Sequence, residues 1–559
     1  MLPELFTRRF WMYMDDKALA RMARSILSDK DEMRPLWDWL SRKIKPRKND
    51  VLNQVNAAEF QREACTTASE GLQLLTNGFM SHVMPSGETW FQFSHGGPVR
   101  TEKHELWYAN ANDVTYRALA TSRFYPVMHE FHLERNLYGT ACAYCEWKKD
   151  GDGLLFQNVP VGTFGFKRDY EGKVTTLARE FRFTAAQAVQ AWGQDKMPDA
   201  VRRAYDREEE RYSREFKFVH IVYENDGYSK GNAKGDMKPE DMPYQSAYFY
   251  AGGTWPVMAR GGYEEFPFLV SIYEEWEGIW GYAPGLQVMN EIGSSLLAER
   301  HLDELGALAV YPRLFIDAEQ EGEVDLRAGG VTVVDRNVAG LNLPREWGTQ
   351  GRYDVGIERL NRSDEKIKSA FHVKFLLAVS SIEDRELTAT EVVARQREQV
   401  LGISGTFKLF ATDFEVFLAR IFGLLFRHGK YNTKKAAQPH DLLVEDGDHV
   451  SIAKPEVQYL GVVAQSVALA QQQNLQGALR SAAEWVQVTG DVTALDGVNS
   501  TEAVKWLFTS QGAPSVVLRP QEEVEQLRTE RQAAQQRQAA LEETQAAAQG
   551  SQAVKNLMV

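Results

Sequence analysis

Cysteine is scarce in this chain. Cys65, Cys142 and Cys145 are three thiols in 559 residues, too few and odd in number for a disulfide framework, so free thiols in a reducing compartment are expected. Long apolar runs are also missing. Nowhere do about 18 apolar residues follow one another, and the opening MLPELFTRRFWMYMDD has no apolar stretch leading into small residues. Neither a membrane span nor secretion is expected, and the compartment should be the cytoplasm of the producing cell. Basic charge is in deficit: 64 Lys and Arg stand against 77 Asp and Glu, a formal net charge of -13. That balance opposes a tight, sequence-independent grip on phosphates, which needs clustered cations to release counterions. If such a protein meets DNA, the DNA should slide.

The motifs of energy coupling and metal chemistry are missing too. GLLFRHGK, Gly423 to Lys430, has five residues between its glycines where a nucleotide loop needs four, and Tyr431 stands in place of the magnesium-binding Ser or Thr. It reads better as an apolar helix ended by Gly429. Cys142 and Cys145 have no second pair to complete four ligands, and in a strand they point to opposite faces. His129, Glu130 and His132 lack the fourth-position partner of a zinc helix and are expected as helix-surface histidines. No cofactor or metal is implied.

What is present is a composition of 43% hydrophobic and 25% charged residues, enough for large cores and for two to four domains at this length. The expected fold class is α+β, predominantly α. The first ninety residues carry helical spacing in DDKALARMARSILSDKDEMRPLWDWLSRKI and NAAEFQREACTTASEGLQLLTNGFM. A second helical region ends near Gly139, and TACAYCEWKKDGDGLLFQNV and TFGFKRDYEGKVTTLAREFRF read as hairpins, the second turning at Glu171-Gly172. Thr184 is placed to cap the short helix AAQAVQAW, and Gly193 to stop it. Pro284 opens a helix expected to run to about Gly306. An extended segment, ALAVYPRLFIDAEQEGEVDLRAGGVTVVDRN, separates it from the helix DVGIERLNRSDEKIKSAFHVKFLLA. Thr388 and Glu391 have capping-box spacing before a long helix, with Gly402 and Gly405 expected to kink it. Residues 431–512 look mostly helical by composition, and the Gln- and Ala-rich end is a tail or a helix that needs neighbours.

Three charge patterns bear on function, each with two readings. Asp317, Glu319, Glu321, Glu323 and Asp325 place an acid at every second residue, on one face of an extended segment; they form a solvated edge or the lining of a repeated channel. Arg359, Arg362 and Lys366, near Glu365, lie within two turns, with Arg362 and Lys366 on one face; they are plain surface charge or rings of cations weak enough for DNA to pass. Glu383, Asp384, Arg385 and Glu386 make a connector loop or a constriction.

The order WEGIWGYAPGLQVMNEI, YPRLFI, TATEVVARQREQ and GAPSVVLRPQEEVEQLR before a Gln/Ala tail resembles the portal, or head-to-tail connector, proteins of short-tailed phages, over nearly the whole chain. What the resemblance implies is a structural subunit of a dodecameric ring at one capsid vertex, a conduit for DNA packaging and ejection. Residues 1–280 and 389–430 would be the wing, 281–306 and 351–379 the stem helices, and 307–350 the clip. Residues 380–388 would be the tunnel loop, 431–512 the crown and 513–559 the C-terminal barrel or tail. The implied partners are further copies of the chain, terminase, tail adaptors, capsid and scaffolding proteins, core or ejection proteins, and double-stranded DNA in the channel. The implied location is the virion, after assembly in the host cytoplasm.

Two other classes compete. One is a soluble cytoplasmic hydrolase built around Trp37, Trp39 and Trp90 with nearby carboxylates, although no nucleophile elbow is present. The other is a scaffold acting through its C-terminal helix, which lacks apolar a and d positions over three heptads.

Overall fold

At Gly139, Gly172, Thr184 and Gly193, where the sequence offers a cap or a turn glycine, an element begins or ends. The computed structural model describes residues 15–460, apart from 46–63, 97–100, 229–237, 319–326, 336–344, 348–352, 375–388, 433–437 and isolated positions or pairs; beyond 460 it describes only scattered helical positions. Helices α1 (Asp16–Ser28), α2 (Arg34–Lys43) and α3 (Thr66–His82) open the chain. Strand β1 (Phe91–Ser94) and helices α4 (Glu102–Ala120) and α5 (Phe124–Tyr138) follow. Helix α5 stops at Gly139, whose φ of 88° closes the helix in the left-handed region that favours glycine.

Both expected hairpins form. Strand β2 (Thr140–Trp147) pairs with β3 (Leu154–Val159), and β4 (Phe164–Arg168) pairs with β5 (Val174–Thr184) around Gly172, at φ 84°. The Thr184 hydroxyl accepts from the Gln187 amide, and the Gln187 side chain accepts from the Thr184 amide at 2.9 Å, capping α6 (Ala185–Trp192). Helix α7 (Asp199–Asp206) completes the insertion before β6 (Glu215–Glu224), β7 (Tyr244–Tyr250), β8 (Val257–Tyr263) and β9 (Phe268–Ile272). The first sheet has the order β3-β2-β9, and the second is the antiparallel run β4-β5-β6-β7-β8.

Strand alternation decides what each face of the second sheet covers. Ala178, Val219, Ile221 and Phe249 meet Leu19, Ala23 and Ile26 of α1, whereas Phe216 and Phe218, on the other face, pack with Ala185 and Ala188 of α6. The largest core joins the N-terminal helices to the first sheet and to a long helix far along the chain, through Trp37, Trp90, Trp107, Phe124, Phe131 and Phe414. Trp37 and Trp90 are therefore apolar core, not the wall of a hydrolase cleft.

The second half departs from the expectations in three places. The turn Pro284–Gln287 is broken from α8 (Met289–Val310) at Val288, and α8 runs through Gly306 instead of stopping there. Gly306 costs roughly 1 kcal/mol in a helix interior and lacks the positive φ of a stop. A small sheet follows, order β11-β10-β12, from β10 (Arg313–Ala318), β11 (Val331–Asp335) and β12 (Arg345–Trp347). Helix α9 (Tyr353–Ala370) then ends directly before Phe371 and His372, where the expected helix carried on. Phe371 and Val373 are both buried in the body, and the chain turns between them at His372, a non-glycine residue at φ 55°.

Helix α10 (Ala389–Arg427) is assigned without interruption through Gly402 and Gly405. After it, the region expected to be helical begins with strands: β13 (Leu443–Asp446), β14 (His449–Ile452) and β15 (Glu456–Tyr459). Asp446 pairs with His449, so the two strands lie only two residues apart in sequence, a spacing that a composition reading overlooks. Strand β15 crosses back to pair with β1, Phe91 opposite Tyr459.

Candidate functional site, the helix pair α8 and α9

Helices α8 and α9 run antiparallel. Lys366 donates to Glu291 at 3.1 Å, Ser295 donates to Asp364 at 3.1 Å, and Leu302 lies against Gly356, where a Cβ would come within 2.6 Å of it. At the body end the pair is closed: Ile292, Ser295, Ile367 and Phe371 are fully buried. The base of α8 is further fixed where the segment entering it crosses the end of α5. Added Cβ atoms at Gly139 or Gly281 would fall about 2 Å from the other's carbonyl oxygen, so only glycines allow the two backbones this close.

At the far end the pair is open. Val310 is 69% exposed, Tyr311 66% and Tyr353 51%; Val355 and Ile357 are also exposed, as are Leu297 midway along α8 and Val331 at the start of β11. These seven are the majority of the twelve large exposed hydrophobic side chains among the described residues. A concentration of that kind marks a surface that another protein covers.

The charges separate in the same way. Glu299 is pushed up, first by burial and then by Asp364 and Asp303. Burial also raises the Cys65 thiol, with Asp364 and Glu299 adding to it. On the outer face Arg359 and Arg362 are exposed, with no ion-pair partner among the described residues, while Lys366 is tied to Glu291. Glu365 is held below the usual carboxylate range by Lys374, at 2.5 Å. Of the expected acidic stripe, Asp317 has its backbone in β10. Its side chain, and Glu319, Glu321, Glu323 and Asp325, lie outside the described residues, as do Glu383, Asp384, Arg385 and Glu386.

The motif candidates elsewhere resolve into structure. Cys142 and Cys145 are buried free thiols in β2, and burial raises both, Cys145 to about 12. Such thiols are poor nucleophiles. His132 corrects the surface expectation: it is fully buried, stacked on Phe79 at 5.3 Å, and burial holds it well below its usual range. Met128, Phe131 and Arg135 share its apolar side of α5. Among the described residues no group of three or more His, Cys, Asp and Glu is placed to hold a metal ion, and no helix is long and apolar enough to cross a membrane.

Three residues that sequence reasoning passed over hold α10 to the body. Arg135 is fully buried, donating to the carbonyls of Ile272 at 3.0 Å and Thr406 at 2.9 Å, and burial brings it down to about 10. Arg420 donates to the Cys145 carbonyl at 3.0 Å, the Glu265 carbonyl at 3.0 Å and the Glu146 carboxylate at 3.2 Å. Arg427 adds a two-pronged pair with Glu265, both bonds 2.6 Å. The signal was available: Arg420 falls three residues after Phe417 and four before Leu424, inside an apolar helical stripe where an unpaired cation would be costly.

A helix pair whose outer end leaves large apolar side chains uncovered is the design of a subunit of an assembly. The chain matches the family described as "Bacteriophage head to tail connecting protein" over residues 16–518 and belongs to it. Its relatives include the portal protein of Salmonella phage epsilon15, 22% identical over 96% of this chain and 95% of that protein. Another is the probable portal protein of Bordetella phage BPP-1, 22% identical over 70% of this chain and 66% of that one. A chain in the neck of an empty gene transfer agent particle aligns over 80% of this chain and 90% of its own. The identity is 10% and the TM-score 0.36, too low to carry an argument, so the assignment rests on sequence. The chain is thus a structural component of the junction between head and tail, and the hydrolase reading gains no support.

Proposed function

We propose that copies of this chain close into a ring at one capsid vertex and form the portal through which double-stranded DNA is packaged and ejected. The observation that carries the reading is the uncovered outer half of α8 and α9: packing it against the same pair of the next copy buries those side chains without leaving an open edge. In that ring α8 and α9 are the stem, the small sheet β11-β10-β12 is part of the clip that meets terminase and tail adaptors, and residues 380–388 form the tunnel loop. Arg359 and Arg362 supply repeated cations, within reach of phosphates but spread too thinly to hold them. The body carrying β1–β9, with α10, forms the wing. Capsid, scaffolding and core or ejection proteins are its further neighbours in the virion, and the role is structural, not catalytic.

The test is negative-stain electron microscopy combined with light scattering on the purified protein. Hollow rings close to a dodecamer are expected. A uniform monomer or dimer across salt and protein concentration would overturn the proposal. Deleting residues 380–388 should leave rings intact and impair DNA packaging or retention; loss of rings would show that this segment is not the tunnel loop.

A further inference from the structure

Between the two sheets and the start of α5 lies a cleft of about 750 Å³. Its aromatic walls include Trp147, Phe181, Phe183, Trp192 and Tyr248, all only half-buried. The charges in it are lopsided. Each of its carboxylates is already engaged: Glu130 with Lys45 at 3.4 Å, Glu146 with Arg420 at 3.2 Å, and Glu180 with Lys30 and Lys217. Its cations Arg123, Lys148, Lys149 and Arg179 have no carboxylate partner among the described residues. Arg179 sits over the Tyr144 ring at 4.1 Å and donates to His220 at 3.3 Å and to the Gln157 side chain at 3.4 Å. In a chain of net charge -13 this cleft is locally cationic.

The opposite chemistry stands on a loop at the other end of the body. No Lys, Arg or His occurs between Arg260 and Arg300, and just after β9 come the exposed residues Glu274, Glu275 and Trp276. The Tyr282 amide closes the loop on the Glu274 carbonyl at 2.9 Å, and the Tyr273 amide ties its base to the Gly139 carbonyl at 2.8 Å. The tip is therefore held in place before any partner arrives. Trp276 is 44% exposed and leans on Tyr282, ring centroids 5.1 Å apart. Glu274 and Glu275 have no ion-pair partner among the described residues. An exposed Trp beside unpaired acids is an anchor for a cleft of opposite charge.

The two features cannot meet within one subunit. The loop leaves the first sheet at Ile272, paired with Thr140, whereas the cleft lysines follow Trp147, seven residues further along β2 and about 23 Å away. Arg123 and Pro126 flank the start of α5, while the loop is tied to Gly139 just past its end, about 20 Å along the helix.

We infer that the Trp276 loop of one copy docks in this cleft of the next copy, with Trp276 among the cleft aromatics and Glu274 and Glu275 against Arg179, Lys148 and Lys149. A patch that meets a different patch on a second copy is the head-to-tail contact from which rings are built. It also offsets a cost. Copies of net charge -13 repel one another, and local pairing of opposite charges counters that repulsion and fixes the register. A nucleic acid satisfies the cations but leaves Trp276 and its acids unmatched. The neighbour is the one that the proposed ring supplies, so the contact rests on that reading, but it lies on the body, apart from α8 and α9.

The experiment uses the full-length protein with Glu275→Cys and Lys149→Cys in one chain, where the three native thiols are buried. A disulfide needs Cα atoms within about 7 Å, so mild oxidation should give a ladder of covalent multimers on a non-reducing gel. Chains carrying either cysteine alone should give only traces of dimer. Lys148→Glu with Lys149→Glu, and separately Glu274→Lys with Glu275→Lys, should raise at least tenfold the concentration at which rings dissociate in light scattering. The fourfold charge swap should recover most of that loss. Rings that form without a ladder, charge reversals without effect, or a fourfold swap that recovers nothing would overturn the inference and leave the ring itself standing. If the wild-type chain forms no rings, the ring reading fails separately: disulfide-linked multimers of the two-cysteine chain then still support the contact, and their absence overturns it. All four substituted side chains are exposed, and circular dichroism on each variant separates loss of contact from loss of fold.

Discussion

The second half of α10 and the outer half of the α8–α9 pair are both amphipathic, yet only one completes its burial inside the subunit. On α10, Phe410, Phe414, Phe417, Leu418, Ile421 and Phe422 are buried, and Arg420 finds acceptors for its guanidinium. On the pair, Val310, Tyr311, Tyr353 and Ile357 remain in solvent. Stability of the first kind belongs to the chain. In the proposed ring, stability of the second kind would depend on the concentration of a neighbour, because burial between copies stabilises by mass action. The fold of the body and the shape of the assembly are therefore separable, and mutations can address one without the other.

The largest effect should come from the helix clamp. Arg420→Ala removes the buried guanidinium that bonds the Cys145 and Glu265 carbonyls and the Glu146 carboxylate, and should cost about 3–5 kcal/mol of folding stability, read by chemical denaturation of the dissociated subunit. A loss under 1 kcal/mol would mean that α10 is held by apolar packing alone.

Next comes the crossing at the base of α8. Gly139→Ala combines a left-handed backbone with a clash against Gly281, and should cost about 2–4 kcal/mol, visible as a lowered melting temperature. Wild-type melting would show that the crossing yields easily.

At His372 the sign reverses. Its φ of 55° is a strained choice for a side chain, so His372→Gly should stabilise the subunit by up to about 1 kcal/mol, whereas His372→Val should destabilise it.

Acid should act on the body as well. His132 and His220 are buried with their imidazoles held well below the usual 6.5. The unfolded chain takes up protons there that the folded chain refuses. Their contribution is whole above pH 6.5 and is lost as pH falls through that value toward the folded pKa. The melting temperature should drop between pH 7 and pH 5, and His132→Gln with His220→Gln should flatten that slope.

The smallest effect on the subunit should be Tyr311→Ser with Ile357→Ser, within about 0.5 kcal/mol of wild type. The same pair should abolish rings by electron microscopy, and rings that survive would place the contact between copies elsewhere.

Much of the body was legible because its signals are local. Gly139, Gly172, Thr184 and Gly193 each mark a boundary that the structure respects, and the alternating runs around DGDG and Glu171-Gly172 form the two expected hairpins. What the sequence hid depends on distant partners. Nothing near Ala370 announces a stop; α9 ends there because Phe371 and Val373 are drawn into a core built 300 residues earlier, in sequence, from α3 and its neighbours. His132 and Arg135 look like surface residues until the body closes over them. The strands after residue 442 were missed because a compositional reading of 431–512 averages over a short turn signal. At the helix pair, the existence and order of α8 and α9 were legible, but the depth of their burial depends on contacts no local pattern encodes.

The pairing of β1 with β15 sets a schedule for synthesis. Trp90, Phe91 and Phe93 leave the ribosome early, but the strand that covers their edge ends only at Tyr459. At about 5–20 residues per second, the nascent body waits on the order of 20–70 s with that edge open. A chain cut short of Tyr459 therefore leaves the edge of β1 uncovered, and the body is complete only once that residue has emerged.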